Sequence, residues 1–232
     1  MLIMLFKIDN KLACAVAESL ALPAPKEVQP NHGKRSNFLS MLGPNNTYTA
    51  KGRKVAIFIM DGFDYTTTEA MKAELYVSGV IPMIVGPRKG SVKSSSGQVA
   101  ETDFTLATCR STHFDGVFFP GATNKKDEAD AAYLKSLARN GRLLHAAREA
   151  FMHLKTVGAT GVAVEFLTKY ALPGEVDELA AQALAGDEAV AQSGIVLAGS
   201  TGVVNTVKLP ALFMGELAKH RAWERDVSSI AA

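Results

Sequence analysis

Apolar residues recur along this chain in two rhythms. A continuous apolar run stands at 55–60, and short apolar-rich runs at 80–85, 115–120, 156–160 and 195–198. Short runs without polar alternation predict strands buried on both faces, as in a parallel sheet. Between them the apolar positions take helical spacing. Thr66-Thr67-Thr68-Glu69 reads as a capping box that starts a helix at Thr66, with Ala70, Met71, Leu75 and Val77 as its stripe and Gly79 as its left-handed end. Helices are expected over 127–139 and 142–154, the second with Leu144, Ala147, Phe151 and Leu154 on one face. A short helix near 162–170 and another within the alanine-rich 171–192 follow. The last runs from Leu209 to His220, with Pro210 in its first turn. From Gly90 to Thr108 the chain reads as a polar hairpin turning near Ser96-Gly97. Strands alternating with helices predict an α/β fold: a doubly wound, mostly parallel sheet with helices on both faces.

The first fifty residues differ. A helix is expected over 7–22, capped by Asp9, with Leu12, Ala15, Val16 and Leu20 at helical spacing and Pro23 and Pro25 ending it. Residues 23–52 are then dominated by turn formers, among them Asn31, His32, Gly33, Ser36, Pro44, Asn45 and Asn46. This predicts an extended arm in which Phe38, Leu39, Met41 and Leu42 are apolar enough to dock elsewhere. The division expected is 1–52 for helix and arm, and 53–232 for the α/β domain.

Composition narrows the function classes. With 232 residues, 47% hydrophobic and 21% charged, the chain has globular usage. A net charge of +2 gives no basic face for nucleic acid, and Lys51, Arg53 and Lys54 read as a solvated loop. The opening run 1–6 stops at Lys7, too short for a signal segment or a membrane span. The sequon Asn45-Asn46-Thr47 weakly favours secretion, so the compartment stays open. Cys14 and Cys109 show no metal-ligand spacing.

Ligands in such sheets sit at the carboxyl ends of the strands. Here those ends are Asp61-Gly62, Gly121-Ala122-Thr123, Ala159-Thr160-Gly161 and Gly199-Ser200-Thr201-Gly202, which are also turns that the fold itself requires. Neither a dinucleotide fingerprint nor a P-loop occurs. A strand that passes straight into a helix through Gly161 has the shape of a nucleophile elbow. Its exposed position should be Ala159 or Thr160. Neither is Cys or Ser, and both cysteines lie elsewhere in sequence. His145, Glu149 and His153 line up on one helix, but the outer two are ~12 Å apart at ~1.5 Å rise per residue, which suits a solvated stripe better than a metal site.

The order strand, Asp-Gly, capped helix, hairpin, strand-Pro-Gly, helices and Val157-Gly158-Ala159-Thr160-Gly161 is similar to the class I glutamine amidotransferase-like superfamily, which includes the PfpI proteases. That superfamily has a cysteine on the elbow and an acid after the first strand, which map to Ala159 and approximately Thr67. A closer resemblance is to large-subunit haem catalases. Ile8-Asp9 through Leu22-Pro23 resembles the end of their helical region. Gly52-Arg53-Lys54-Val55-Ala56-Ile57, Glu149-Ala150-Phe151-x-His153-Leu154-Lys155 and His220-Arg221-x-Trp223 resemble their extra C-terminal domain. This resemblance covers essentially the whole chain. It implies a flavodoxin-like, non-catalytic domain with Ala159, Thr160 and Gly161 as a degenerate elbow. No catalytic, cofactor or metal residues are expected within the chain. The haem would belong to the parent catalase, outside this sequence, and the partners would be the catalase body and a homotetramer. Chaperone-like behaviour toward unfolded clients is associated with such domains. The alternatives are a PfpI-type hydrolase or deglycase relative, disfavoured by the missing thiol, and a small-ligand module.

Overall fold

A computed structural model describes residues 2–26, 34, 36, 38, 39, 48–123, 127–186, 188–199 and 203–230. Most of the expected arm, including Asn31, His32, Gly33, Met41, Leu42 and Pro44, therefore lies outside the described residues. Two units are present, Met1–Thr47 and Tyr48–Ala232. Tyr48 to Gly52 belong with the larger unit because Gly52 N–H donates to the Gly79 carbonyl (2.8 Å) and Arg53 N–H to the Ala50 carbonyl (3.1 Å).

The small unit holds α1 (Leu2–Ile8) and α2 (Asn10–Ser19). The helix expected over 7–22 is thus shorter, and the apolar opening is a separate helix. Asp9 makes the break: its backbone is extended and its carboxylate accepts from Leu12 N–H at 2.8 Å. α2 closes with Leu22 N–H donating to the Ala17 carbonyl and Ala21 in the left-handed region at φ 52°, just before Pro23.

The large unit is built on β1 (Lys54–Phe58), β2 (Ile81–Gly86), β5 (Phe104–Thr105), β6 (Gly116–Phe119), β7 (Thr156–Thr160), β8 (Val190–Gln192) and β9 (Ile195–Ala198). Their order is β5-β2-β1-β6-β7-β9-β8, parallel throughout except for the edge strand β8. The helices are α3 (Tyr65–Val77), α4 (Glu128–Ala138), α5 (Gly141–Met152), α6 (Val162–Phe166), α7 (Asp177–Ala185) and α8 (Val203–Ala218). The expected doubly wound α/β fold is what forms. Adjacent residues of β6 show both faces covered, since side chains alternate along a strand. Phe118 meets Phe213 of α8 edge-on at 6.2 Å, while Phe119 meets Phe166 of α6 at 5.5 Å. Gly158 of β7 makes room beneath Phe118 and Phe213: a Cβ there would stand 2.9 Å from both rings.

β3 (Gly90–Lys93) and β4 (Val99–Thr102) form the expected hairpin, turning through Ser94–Gln98. It folds over the end of β1, where Asp61 takes both guanidinium nitrogens of Arg88 (2.6 and 2.9 Å) and the Lys93 N–H.

Three local expectations change. α3 starts one residue earlier than Thr66, and Asp64 is its cap, accepting from Thr66 and Thr67 N–H. A carboxylate caps as well as a threonine hydroxyl and stands where the chain turns. The stretch 171–192 holds the expected helix as α7, but it ends in β8, a strand that was not expected, paired to β9 through the two-residue turn Ser193-Gly194 with φ 47° and 76°. α8 begins well before Leu209, so Pro210 sits inside the helix and not in its first turn. The buried stripe Leu209, Phe213 and Leu217 outweighs the one backbone bond that a proline removes.

Candidate functional site

The two ends of the sheet are built differently. At the carboxyl end, β7 passes directly into α6 through Gly161, whose φ of 51° and ψ of −129° lie where only glycine is unstrained. This is the elbow, and its strained residue is Gly161. Ala159 and Thr160, expected to present the exposed position, are both wholly buried. They are the last residues of a central strand, so their side chains turn into the sheet's packing. Thr160 is tied down further: its Oγ1 accepts from Gly121 N–H at 3.0 Å. Gly161 N–H donates to the Ala198 carbonyl at 2.8 Å. The three strand ends β6, β7 and β9 are thereby stitched together across the elbow.

The cavity beside Gly161 measures about 240 Å³ and is bordered by Asp127, Asp130 and Glu165. Asp127 caps α4, Asp130 accepts from Thr123 N–H at 2.7 Å, and Glu165 pairs with Lys169 at 2.7 Å. Carboxylates at that mouth oppose the negative charge that an acyl-transfer oxyanion develops. Thr67, mapped to the superfamily's acid position, is buried on α3 and donates its hydroxyl to Asp64 at 2.7 Å. Cys14 lies on α2 in the other unit. Cys109 follows β5, lines a different cavity, and has its thiol pKa pushed up by burial.

The amino end of the sheet gathers the three stretches that resemble the extra C-terminal domain of large-subunit catalases. Arg53 precedes β1 and brings Nη1 to 2.6 Å from His220 Nδ1. It is half-buried, not the solvated loop residue expected, because β1 enters the core at once after it. A guanidinium can only donate, so the His220 Nδ1 must accept, and the ring proton stands on Nε2. Burial, with the charges of Arg221 and Arg53, holds His220 below the ordinary imidazole range, and Asp115 offsets this in part. Ala222 N–H donates to the Leu154 carbonyl at 2.9 Å. Lys155, buried at the start of β7, donates to the Ser111 carbonyl, and burial lowers its pKa.

Arg225 locks this end. Its Nη1 donates to the Phe151 carbonyl at 2.9 Å, its Nε and Nη2 to the Ser193 carbonyl at 3.0 and 2.6 Å, and its guanidinium lies 4.7 Å over the Phe151 ring. Burial lowers its pKa to about 10. Nothing in its local sequence singles Arg225 out. The Ser193-Gly194 pair before an apolar run is the signal for the turn that it clamps. On α5, His145 Nε2 stands 3.5 Å from Glu149, and His153 caps the helix end. Among the described residues no group of three His, Cys, Asp or Glu is placed to hold a metal ion, and no helix is long and apolar enough to cross a membrane.

Residues 51–226 match the family described as the C-terminal domain found in long catalases. The chain belongs to this family. Catalase-1 of Neurospora crassa is 36% identical over 230 residues, which are 96% of this chain and 30% of that protein. The chain thus spans about a third of the length of the catalases it matches. Among solved structures, the ThiJ/PfpI domain protein of Brachyspira murdochii aligns with a TM-score of 0.59 at 16% identity, covering 72% of this chain and 97% of that one. Drosophila melanogaster DJ-1beta aligns with a TM-score of 0.58 at 16% identity, covering 78% and 99%. These neighbours share the flavodoxin-like fold. In this chain the strained position of the β7–α6 turn is a glycine, Gly161.

Proposed function

We propose that this chain is the non-catalytic C-terminal domain of a large-subunit catalase and acts by stabilising protein structure, its own parent's or a client's. The observation that carries this reading is the elbow. The strained residue Gly161 has no side chain, Ala159 is an inert methyl, and the Thr160 hydroxyl is engaged by Gly121 N–H. Nothing there can attack a carbonyl, so hydrolase and deglycase chemistry is disfavoured. Peroxide dismutation at a haem would belong to the rest of the parent, a homotetramer on this reading.

Stabilisation without nucleotide requires only surface that prefers an unfolded chain. Phe38 and Leu39 of the small unit are almost fully exposed, at 91% and 87%. On the large unit, α3 and α8 pack together and leave Tyr76, Val77 and Val207 exposed. Met41 and Leu42, expected to share this role, lie outside the described residues. Exposed apolar surface of this kind suits contact with a partner or a client. Light scattering of a heated model enzyme tests the reading. Suppressed aggregation without ATP, at a several-fold molar excess of the chain over client, is expected from a chaperone-like domain. No suppression beyond that of an inert control protein leaves the buttress role within the parent. Peroxide turnover by the chain after haem addition would overturn the non-catalytic assignment.

A further inference from the structure

A second cavity, of about 360 Å³, lies within the large unit between α5 and the stretch joining β5 to β6. Its size is at the small end for ligand pockets, which run from ~300 to ~1,000 Å³. Its inner wall is apolar, with Phe58, Leu106, Phe114 and Val117. Its polar lining is chiefly cationic. Arg110 Nη1 donates to the Cys109 carbonyl at 3.2 Å and Arg142 Nη1 to the Leu106 carbonyl at 3.4 Å. Among the described residues neither guanidinium pairs with a carboxylate; Glu149, also on the wall, stands 3.5 Å from His145 Nε2 of its own helix, and the two arginines outnumber it.

The helix start adds to this field. α4 and α7 carry acids in their first turns, Glu128 and Asp130 in one and Asp177 and Glu178 in the other. α5 carries none and places Arg142 there. A cation in a first turn has the wrong sign for the helix dipole, so positive potential concentrates at the cavity mouth. Two guanidinium forks above an apolar wall match one kind of molecule: a planar oxyanion on a hydrocarbon body.

We propose that this cavity binds a small carboxylate with an apolar tail, its head group held by Arg110 and Arg142 and its tail against Phe114 and Val117. Cys109 is the built-in reporter. The Leu106 carbonyl that receives Arg142 Nη1 also receives the Cys109 thiol at 3.9 Å, which places the sulfur beside the head-group position. Cys109 plays no chemical part.

Octanoate is the test probe, with octylammonium as the charge-reversed control. Calorimetric titration of the whole chain should show octanoate binding in the submillimolar to millimolar range. An Arg110→Gln, Arg142→Gln double variant should weaken it about tenfold or more, the scale of a lost charge-assisted pair. Both arginines are exposed, so the fold should survive; circular dichroism checks this. In a Cys14→Ser background, octanoate should slow alkylation of Cys109 by iodoacetamide, and octylammonium should not. Absence of octanoate binding at ten millimolar would overturn the proposal. So would octylammonium binding as tightly as octanoate, or unchanged affinity in the double variant. Binding without protection of Cys109 would also overturn it, by placing the ligand elsewhere.

Discussion

The two ends of this sheet have the same raw material, strand termini meeting helix termini, and use it in opposite ways. At the carboxyl end the elbow keeps the backbone geometry that would present a reactive side chain, and puts glycine there. At the amino end the side chains do the binding. Arg53 meets His220, Arg225 spans Phe151 and Ser193, and Lys155 reaches the Ser111 carbonyl. The contrast teaches that backbone geometry and chemistry separate. The tight β7–α6 turn joins strand to helix here without carrying a nucleophile. The cross-links that hold the domain's last segment in place have been built at the other end.

Substitutions can break or sharpen that contrast. Arg225→Ala should have the largest effect, a loss of about 3 kcal/mol or more. It removes charge-assisted bonds and leaves the Phe151 and Ser193 carbonyls without their donor. Urea denaturation followed by Trp223 fluorescence reads this end directly; a loss below about 1 kcal/mol would remove Arg225 from the role of lock.

Gly161→Ala should cost about 1–3 kcal/mol, the scale for a side chain forced into a glycine-only backbone region. A neutral result would show that the elbow relaxes and that its geometry is not imposed by the sheet. Thr160→Val should cost about 1–2 kcal/mol, because it strands the buried Gly121 N–H. If Thr160→Val costs more than Arg225→Ala, the carboxyl end is the better cross-linked of the two.

The smallest effect is a pH dependence. His220 has a folded pKa below its unfolded value of 6.5, so below 6.5 the unfolded state binds the proton more readily. The stability this group contributes is complete above 6.5 and is lost as pH falls through 6.5 toward the lower folded value. A His220→Gln variant should therefore show a flatter stability profile between pH 5 and 7 than the parent chain, read by thermal unfolding at half-unit steps. An unchanged slope would mean that burial and the charges of Arg221 and Arg53 do not hold the ring neutral.

Much of the fold was legible because parallel strands buried on both faces leave a plain trace. Val55–Phe58 and Ile195–Ala198 are each read from an apolar run that suits burial on both faces, and Thr156–Thr160 from its place before Gly161. The hairpin was legible from its polar turn, and the elbow from a strand running into Gly161. What escaped were decisions between neighbours. Asp64 and Thr66 are both competent caps, and only the path out of β1 selects Asp64. Alanine-rich 171–192 satisfies helical propensity as far as Ala185, after which pairing with β9 overrides it for Val190–Gln192.

The elbow shows the same limit at the site. Its existence followed from residue order, but which residue takes the strain depends on φ and ψ, and these are set by β6, β7 and β9 being stitched together. By itself the sequence determined the class of fold, the family and the lack of a nucleophile on the turn, since all three rest on residue types in a fixed order. Only the tertiary structure decided that Arg53 meets His220 across 167 positions, that Arg225 clamps a turn far before it, and that Arg110 and Arg142 share one cavity. Those contacts join residues with no local pattern in common. They arise where the sheet's packing brings distant segments together, and no spacing along the chain encodes that.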